Sequence, residues 1–126
     1  AREEEIIGRG WNQVTSTNDP TAHAEVVAIR DACARLRTFS LAGCEIYTSC
    51  EPCPLCLAAV YWSRLTCIYY AAGCEDAAAA GFDDQFLYEE LQRPPALRSI
   101  PRQQALREQA LVAFEAWRNK PNRVLY

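Results

Sequence analysis

Residues 48–56 read Thr-Ser-Cys-Glu-Pro-Cys-Pro-Leu-Cys, and this stretch decides the fold. Apolar residues that favour strands precede it and a helix-like run follows it, which predicts a strand passing into a helix. Pro54 suits the first helical position, because its fixed φ is already helical and its missing N–H is not needed there. Residues three apart lie on one helix face, so Cys53 and Cys56 can direct both sulfurs to one point. The positive end of the helix dipole favours thiolates there, which predicts a bound cation.

A second candidate group lies upstream, at His23 and Glu25. Residues 18–20 are Asn-Asp-Pro, which predict a cap and a helix start, so His23 and Glu25 should fall in the first turn. Residues two apart diverge by about 200° around a helix, so Glu25 is badly placed to be a ligand beside His23 and should stand next to the metal. One imidazole with the thiolates of Cys53 and Cys56 leaves zinc an open fourth position, as in catalytic sites.

The composition predicts one domain, residues 1–126, in the cytoplasm. The chain has 126 residues, which is enough for a single core, and no apolar run approaches the length of a membrane span. Seven cysteines are present, an odd number. The five outside the metal pair lie mostly in apolar settings, which is typical of reduced, buried thiols.

Charge is distributed unevenly along the chain. Residues 1–90 hold 6 basic and 14 acidic side chains, a net charge of −8, whereas residues 91–126 hold 7 basic and 2 acidic ones, a net charge of +5. The acidic part carries the candidate site and argues against nucleic acid as a partner. Two roles are open to the basic tail: contact with nucleic acid, or packing on the acidic body of its own or a neighbouring subunit, which we favour.

Strand-like and helix-like segments alternate, which predicts an α/β fold with a mostly parallel sheet covered on both faces. The predicted strands are residues 6–11, 44–49 and 66–71, and the predicted helices are 21–37, 54–63, 76–80, 85–91 and 104–119. On the helix over 21–37, an apolar stripe should face the core: Ala22, Val26, Ile29, Cys33 and Leu36. Residues 93–102 contain three prolines and are predicted to be an extended connector. A sheet of three strands is short for this class, so we expect that a helix and part of a strand ahead of Ala1 are absent.

Two motifs resemble those of the cytidine deaminase-like superfamily of zinc enzymes: residues 21–25, TAHAE, and 51–56, EPCPLC. Within it, the chain looks like a bacterial-type guanine deaminase. That narrower resemblance rests on residues 18–20, NDP, 80–84, AGFDD, 116–119, AWRN, and the C-terminal Tyr126. Leu55 departs from the Met that relatives usually carry between the cysteines, a change that conserves volume.

The resemblance implies a three-layer α-β-α fold with a mixed, mostly parallel sheet of about five strands. It implies hydrolytic deamination of guanine, a small purine base, to xanthine and ammonia. His23, Cys53 and Cys56 would hold one zinc ion per subunit, with water or hydroxide as the fourth ligand. Glu25 would move protons between the water, the ring and the departing amine.

The same resemblance supplies the remaining candidate residues. Asn12 and Ala24 would contact the base, Asp84 would bind it and assist proton transfer, and Trp62 would form an apolar wall. Related enzymes are homodimers that exchange their C-terminal segments, here residues 91–126, so that Tyr126 would close the neighbouring site.

Simpler explanations exist for several of these residues. Cys50 could complete a closed Cys₃His site that only stabilises the fold. Asp84 could cap a helix, Asn12 could form a turn, and Trp62 could pack in the core. Among functions, a tRNA adenosine deaminase would share the zinc motif but should present a basic surface around the site.

Overall fold

The computed structural model describes residues 1–82 and 84–126. They form two compact units, Ala1–Tyr88 and Glu89–Tyr126. The first unit contains, in chain order, α1 (Val14–Thr17), α2 (Ala24–Leu36), β1 (Glu45–Cys50), α3 (Pro54–Trp62), β2 (Cys67–Ala72) and α4 (Cys74–Ala79). The boundary falls within α5 (Gln85–Gln92), and the second unit continues through a 3₁₀ turn (Pro95–Leu97) to α6 (Arg107–Asn119).

β1 and β2 are parallel neighbours, with Glu45 opposite Cys67 and Tyr47 opposite Tyr69. The parallel α/β arrangement predicted from the sequence is therefore confirmed, because α3 makes the crossover between the two strands. In the described residues the sheet has two strands, against about five expected. One sheet face is buried at Ile46, whereas Tyr47 and Tyr69 on the other face stack 4.7 Å apart and stay 61% and 46% exposed.

The strand predicted over residues 6–11 is not formed; this segment has no regular secondary structure. Its backbone lies directly on α2 instead. A Cβ added at Gly8 would lie 2.7 Å from the Ala28 carbonyl oxygen, and one added at Gly10 would lie 2.3 Å from the Ala24 carbonyl oxygen. The two glycines thus serve close helix contact rather than strand pairing.

The core of the first unit lies between α2 and the segment that leads into β1. Ala32, Leu41 and Cys44 are at most 5% exposed, and a shell of partly buried apolar side chains packs on them: Ile7, Ile29, Cys33, Leu36 and Leu65. With Ala22 and Val26 also buried, the apolar stripe predicted for this helix faces the core. The core therefore fixes α2, the helix that follows His23.

The second unit is built from short-range contacts. The Glu90 carboxylate accepts hydrogen bonds from the Ser99 N–H and hydroxyl and pairs with Arg93, and the Arg98 guanidinium donates to the carbonyls of Leu91 and Arg93. α6 buries no residue. Residues 93–102 are largely irregular, as predicted, apart from the 3₁₀ turn. Nowhere in the described ranges is there a helix long and apolar enough to cross a membrane.

Candidate metal centre

The site begins where β1 ends and α3 starts. Three residues separate Cys50, the last of the strand, from Pro54, which is the first residue of the helix as predicted. Cys53 is the N-cap residue, with an extended backbone at φ −63° and ψ 169°. Cys56 follows in the first turn and is fully buried. Both sulfurs thus lie at the positive end of α3, where negative charge is stabilised.

His23 is brought to the same place by α2. The helix starts at Ala24 rather than at residue 21, so His23 is its N-cap residue and not part of its first turn. The reason is a turn held by Asp19, whose carboxylate accepts hydrogen bonds from the Thr21 N–H at 2.8 Å and the Thr21 hydroxyl at 2.7 Å. That turn keeps the backbone ahead of His23 out of the helix.

Three side chains converge on one point. The Cys53 Sγ lies 3.6 Å from the His23 Nδ1 and 3.7 Å from the Cys56 Sγ, and all ligand atoms of the group lie within 4.8 Å of one another. Among the described residues, Cys50 does not belong to this group; its Sγ lies 4.0 Å from the Gly73 carbonyl oxygen. A closed site with Cys50 as the fourth ligand does not match this arrangement.

The donor set fits zinc. Tetrahedral zinc with bonds of about 2.3 Å to sulfur and about 2.0 to 2.1 Å to nitrogen needs its sulfurs about 3.8 Å apart and sulfur about 3.6 Å from nitrogen. The Cys53–Cys56 separation of 3.7 Å and the Cys53–His23 separation of 3.6 Å agree with these values, and all three ligand atoms lie within 4.8 Å of one another. Two thiolates and one imidazole are also the ligand types that zinc prefers.

The protonation of the thiols suits a cation as well. The neighbouring Cys56 side chain, with help from backbone N–H groups and His23, lowers the pKa of Cys53. The neighbouring Cys53 side chain and burial raise the pKa of Cys56, which keeps its thiol proton. A metal ion would replace that proton, because zinc binds cysteine as thiolate.

Glu25 borders the group without belonging to it. Its Oε2 accepts a hydrogen bond from the Cys56 thiol at 3.4 Å. The carboxylate therefore faces the metal position, close enough to handle a proton beside it. Such an arrangement of three ligands and a neighbouring carboxylate is that of a hydrolytic metal site.

Comparison with known proteins now identifies the family. Residues 1–72 match the family described as the cytidine and deoxycytidylate deaminase zinc-binding region, which covers more than half of the chain. This chain belongs to the cytidine deaminase family.

Individual relatives show where it lies within that family. The guanine deaminase of Bacillus subtilis (strain 168) is 53% identical over 121 residues, which cover 96% of this chain and 78% of that protein. The X-ray structure of the Bacillus subtilis guanine deaminase superposes with a TM-score of 0.95 at 51% identity, covering 100% of this chain and 80% of the other. A tRNA-specific adenosine deaminase of Aquifex aeolicus is 46% identical, but over only 56% of this chain and 47% of its own length.

The cytidine deaminase fold expected from the resemblance is confirmed by that superposition, although the described residues of this chain form only part of the sheet. The family match also confirms the expected cofactor, zinc. These comparisons do not assign roles to the remaining candidate residues.

Asp84 is half-buried and lies just before α5. Its charge contributes to raising the pKa values of Cys50, Cys74 and Tyr88. Its backbone carbonyl accepts the Leu87 N–H at 2.9 Å, as expected at a helix start. Its neighbour Asp83, part of the predicted AGFDD motif, lies outside the described residues.

The other candidates are more loosely placed. Asn12 is exposed and its Oδ1 accepts the Val14 N–H at 3.1 Å, the turn-forming role considered above. Ala24 and Glu25 are among the residues that line a cavity of about 540 Å³ between residues 6–10, α2 and β1, and His23, Cys53 and Cys56 are not. Trp62 ends α3 and is 62% exposed, and Tyr126 belongs to the second unit and is 73% exposed.

Residues 51–53, between β1 and α3, form a short loop that carries Cys53 and is called the ligand loop below. The sequence pattern did not single out three side chains at this loop: Glu51, Cys74 and Tyr88. Glu51 lies within the motif itself, which was a usable signal. Cys74 and Tyr88 lie far along the chain and offer no signal of their own, because only folding brings them to the loop.

Proposed function

We propose that this chain catalyses the zinc-dependent hydrolytic deamination of guanine to xanthine and ammonia. The observation that carries the proposal is the Glu25 carboxylate, 3.4 Å from the Cys56 sulfur, beside three donors spaced for zinc. The choice of guanine is supported by the 53% identity with the Bacillus subtilis guanine deaminase and the TM-score of 0.95 with the guanine deaminase structure.

His23, Cys53 and Cys56 are the proposed zinc ligands. Zinc bound by three protein ligands supplies water activation at neutral pH, because it lowers the pKa of a coordinated water to about 7. The two thiolates reduce the net charge of the centre, and the buried position of Cys56 keeps bulk water away from one side.

Glu25 is the proposed proton carrier. Deamination adds water at the purine C2 and releases the amino group as ammonia, so protons must leave the water and reach first N3 and then the amine. The Glu25 Oε2 would take up one water proton and deliver it to N3, where it stays. It would then carry the second proton, from the new C2 hydroxyl, to the amino group, which leaves as ammonia as the C2–N bond breaks and the C2 carbonyl forms. Its hydrogen bond to Cys56 orients the carboxylate toward the metal position in the absence of substrate.

The proposed substrate contacts are Asn12, Ala24, Trp62, Asp84 and Tyr126. Asp84 has the strongest support, because it is half-buried and its charge acts on Cys50 beside the ligand loop. The Trp62 ring is 62% exposed, so a ligand can reach it. The Asn12 Oδ1 already accepts the Val14 N–H, so Asn12 would have to bind the base through its side-chain NH₂ group.

We further infer a cytoplasmic homodimer in which residues 91–126 are exchanged. All seven cysteines are free thiols, which suits a reducing compartment. α6 leaves Val112 and Phe114 63% and 61% exposed, and apolar side chains on an amphipathic helix normally pack on another surface. Sedimentation equilibrium tests this inference: we expect a dimer, and Phe114→Glu should yield monomers.

An ammonia-release screen over guanine, adenine, cytosine, their nucleosides and an adenosine-bearing anticodon stem tests the activity. We expect turnover of guanine, reduced about 10³-fold by Glu25→Gln with one zinc retained per chain. Glu75→Gln, on an exposed site of α4, is the matched control and should match the parent. Turnover of the RNA with guanine inert would overturn the proposed substrate.

A further inference from the structure

A cluster of side chains that the proposed chemistry does not use lies behind the ligand loop. The Glu51 Oε2 accepts hydrogen bonds from the Cys74 thiol at 3.2 Å and from the Cys74 N–H at 3.4 Å. The Tyr88 hydroxyl donates to the Pro52 carbonyl at 3.3 Å and lies beside the Cys74 thiol. The cluster therefore touches the two residues that immediately precede Cys53.

Each member ties a different segment to that loop. Glu51 also donates its backbone N–H to the Ala72 carbonyl at 2.8 Å, so the loop is fixed to the end of β2. Cys74 is the first residue of α4. Tyr88 lies one turn into α5, and its own N–H points to the Asp84 carbonyl at 3.4 Å. A single network thus connects the loop before Cys53 with the start of the helix that follows Asp84.

The protonation states favour this network. The pKa of the Cys74 thiol is raised, mainly by its hydrogen bond to Glu51 and secondly by burial. Burial, followed by the charges and dipoles of Cys74 and Asp84, raises the pKa of Tyr88 to about 12. Both groups are therefore protonated near neutral pH and can act as donors, one to a carboxylate and the other to a carbonyl.

We propose that Tyr88, together with Glu51 and Cys74, is a positioning residue that holds Asp84 in place relative to the ligand loop. Tyr88 does not touch the reacting atoms; it acts through the start of α5. The proposal rests on the proposed function insofar as Asp84 binds the purine, whereas the network itself is independent of the substrate.

Tyr88→Phe is the decisive variant, because it removes the hydroxyl and keeps the ring. We expect the KM for guanine to rise about 10-fold, the effect of losing about one hydrogen bond, with kcat little changed and one zinc still bound per chain. In an Asp84→Asn background the same substitution should have almost no further effect, since residues acting as a unit are not additive. Tyr61→Phe, at a 71% exposed site on α3, is the matched control and should match the parent.

A second readout does not depend on activity. Amide hydrogen exchange at residues 85–88 should be about 10-fold faster in Tyr88→Phe and in Glu51→Gln than in the parent, with α2 unchanged. Cys74→Ser keeps a donor to Glu51 and should retain slow exchange, whereas Cys74→Val should not.

The two readouts separate the two proposals. If exchange at residues 85–88 is faster in the variants but the parent protein does not deaminate guanine, the proposed function is contradicted and the network is supported. Unchanged exchange at residues 85–88, or an equal KM effect with and without Asp84→Asn, would overturn the positioning role of Tyr88.

Discussion

The two units of this protein differ in what holds them together. Every buried residue among those described lies in the first unit, between Ala22 and Ser63, and the candidate metal centre lies there too. The second unit relies on surface hydrogen bonds around Glu90 and leaves apolar side chains of α6 exposed. The first unit can therefore be expected to fold around its own core and metal, whereas the second needs another surface to bury its apolar face.

Metal removal should produce the largest difference in stability between the two units. At free zinc about 1,000 times the dissociation constant, binding contributes about 4 kcal/mol, so chelation should lower the melting temperature of the first unit by roughly 15 to 30 °C. Helical signal from α6 should change little. Calorimetry with and without chelator, alongside circular dichroism, measures both.

Cys53→Ser should reproduce the effect of the chelator, because it removes a ligand. Cys50→Ser is the matched control: its sulfur lies outside the ligand group, so zinc content and melting temperature should stay close to those of the parent. Loss of zinc in both variants would instead support the alternative of a closed Cys₃His site with Cys50 as the fourth ligand.

Truncation of a leucine gives the next largest contrast. Leu41 is 2% exposed and belongs to the core cluster, so Leu41→Ala should cost the first unit about 3 kcal/mol. Leu97, in the second unit, is 69% exposed, and Leu97→Ala should change stability by less than about 0.5 kcal/mol. Urea unfolding of both variants measures the difference. Equal effects would show that the second unit buries Leu97 in solution and would contradict the contrast.

A glycine contact should have a somewhat smaller effect. Gly10→Ala would place a Cβ 2.3 Å from the Ala24 carbonyl oxygen, so residues 6–11 must shift away from α2 at a cost of about 2 kcal/mol. Gly73→Ala is the control, since its nearest neighbour would be the Asp76 side chain at 3.9 Å. Denaturant midpoints compare the two. Because Ala24 adjoins His23 and Glu25, a Gly10→Ala protein that loses no stability but much activity would place the effect in the site instead.

The same glycines explain why the strand predicted over residues 6–11 is not formed. Apolar Ile6 and Ile7 favour a strand, but a strand needs a neighbour to pair with, and Gly8 and Gly10 instead allow the backbone to lie on α2. The predicted start of the helix before β1 is three residues too early, because Asp19 is a favoured helix cap but here caps a separate turn. Local patterns do not reveal which of two competing partners a segment will choose.

The candidate site is more accessible to sequence reasoning than the sheet. Ligand spacing and the proline at the start of α3 follow from local geometry, so His23, Cys53 and Cys56 can be grouped from their sequence positions and chemistry. Tyr88 cannot, because its contact with Pro52 joins positions 36 residues apart. Such contacts depend on how α5 packs, which no local pattern encodes.

Lowering the pH should give the smallest difference between the units, through loss of folding stability as one carboxylate in each unit is protonated. Hydrogen bonds from Arg35 and the Arg9 N–H lower the pKa of Asp31 in the first unit, and those from Ser99, chiefly its N–H, lower the pKa of Glu90 in the second. A carboxylate whose pKa is lowered by folding stabilises the folded state above its unfolded pKa, about 3.9 for Asp and 4.3 for Glu. That stabilisation is lost as the pH falls through the folded pKa.

Asp31 and Glu90 are half-buried and keep contact with solvent, so the changes should be small. The informative result is which unit each change affects. Asp31→Asn should flatten the acid dependence of unfolding between about pH 5 and pH 2 for the first unit only, and Glu90→Gln for the second only. Residue-resolved NMR during acid titration follows each unit separately. If Glu90→Gln also flattened the curve of the first unit, the two units would unfold together, and the second would owe its stability to the first rather than to a partner chain.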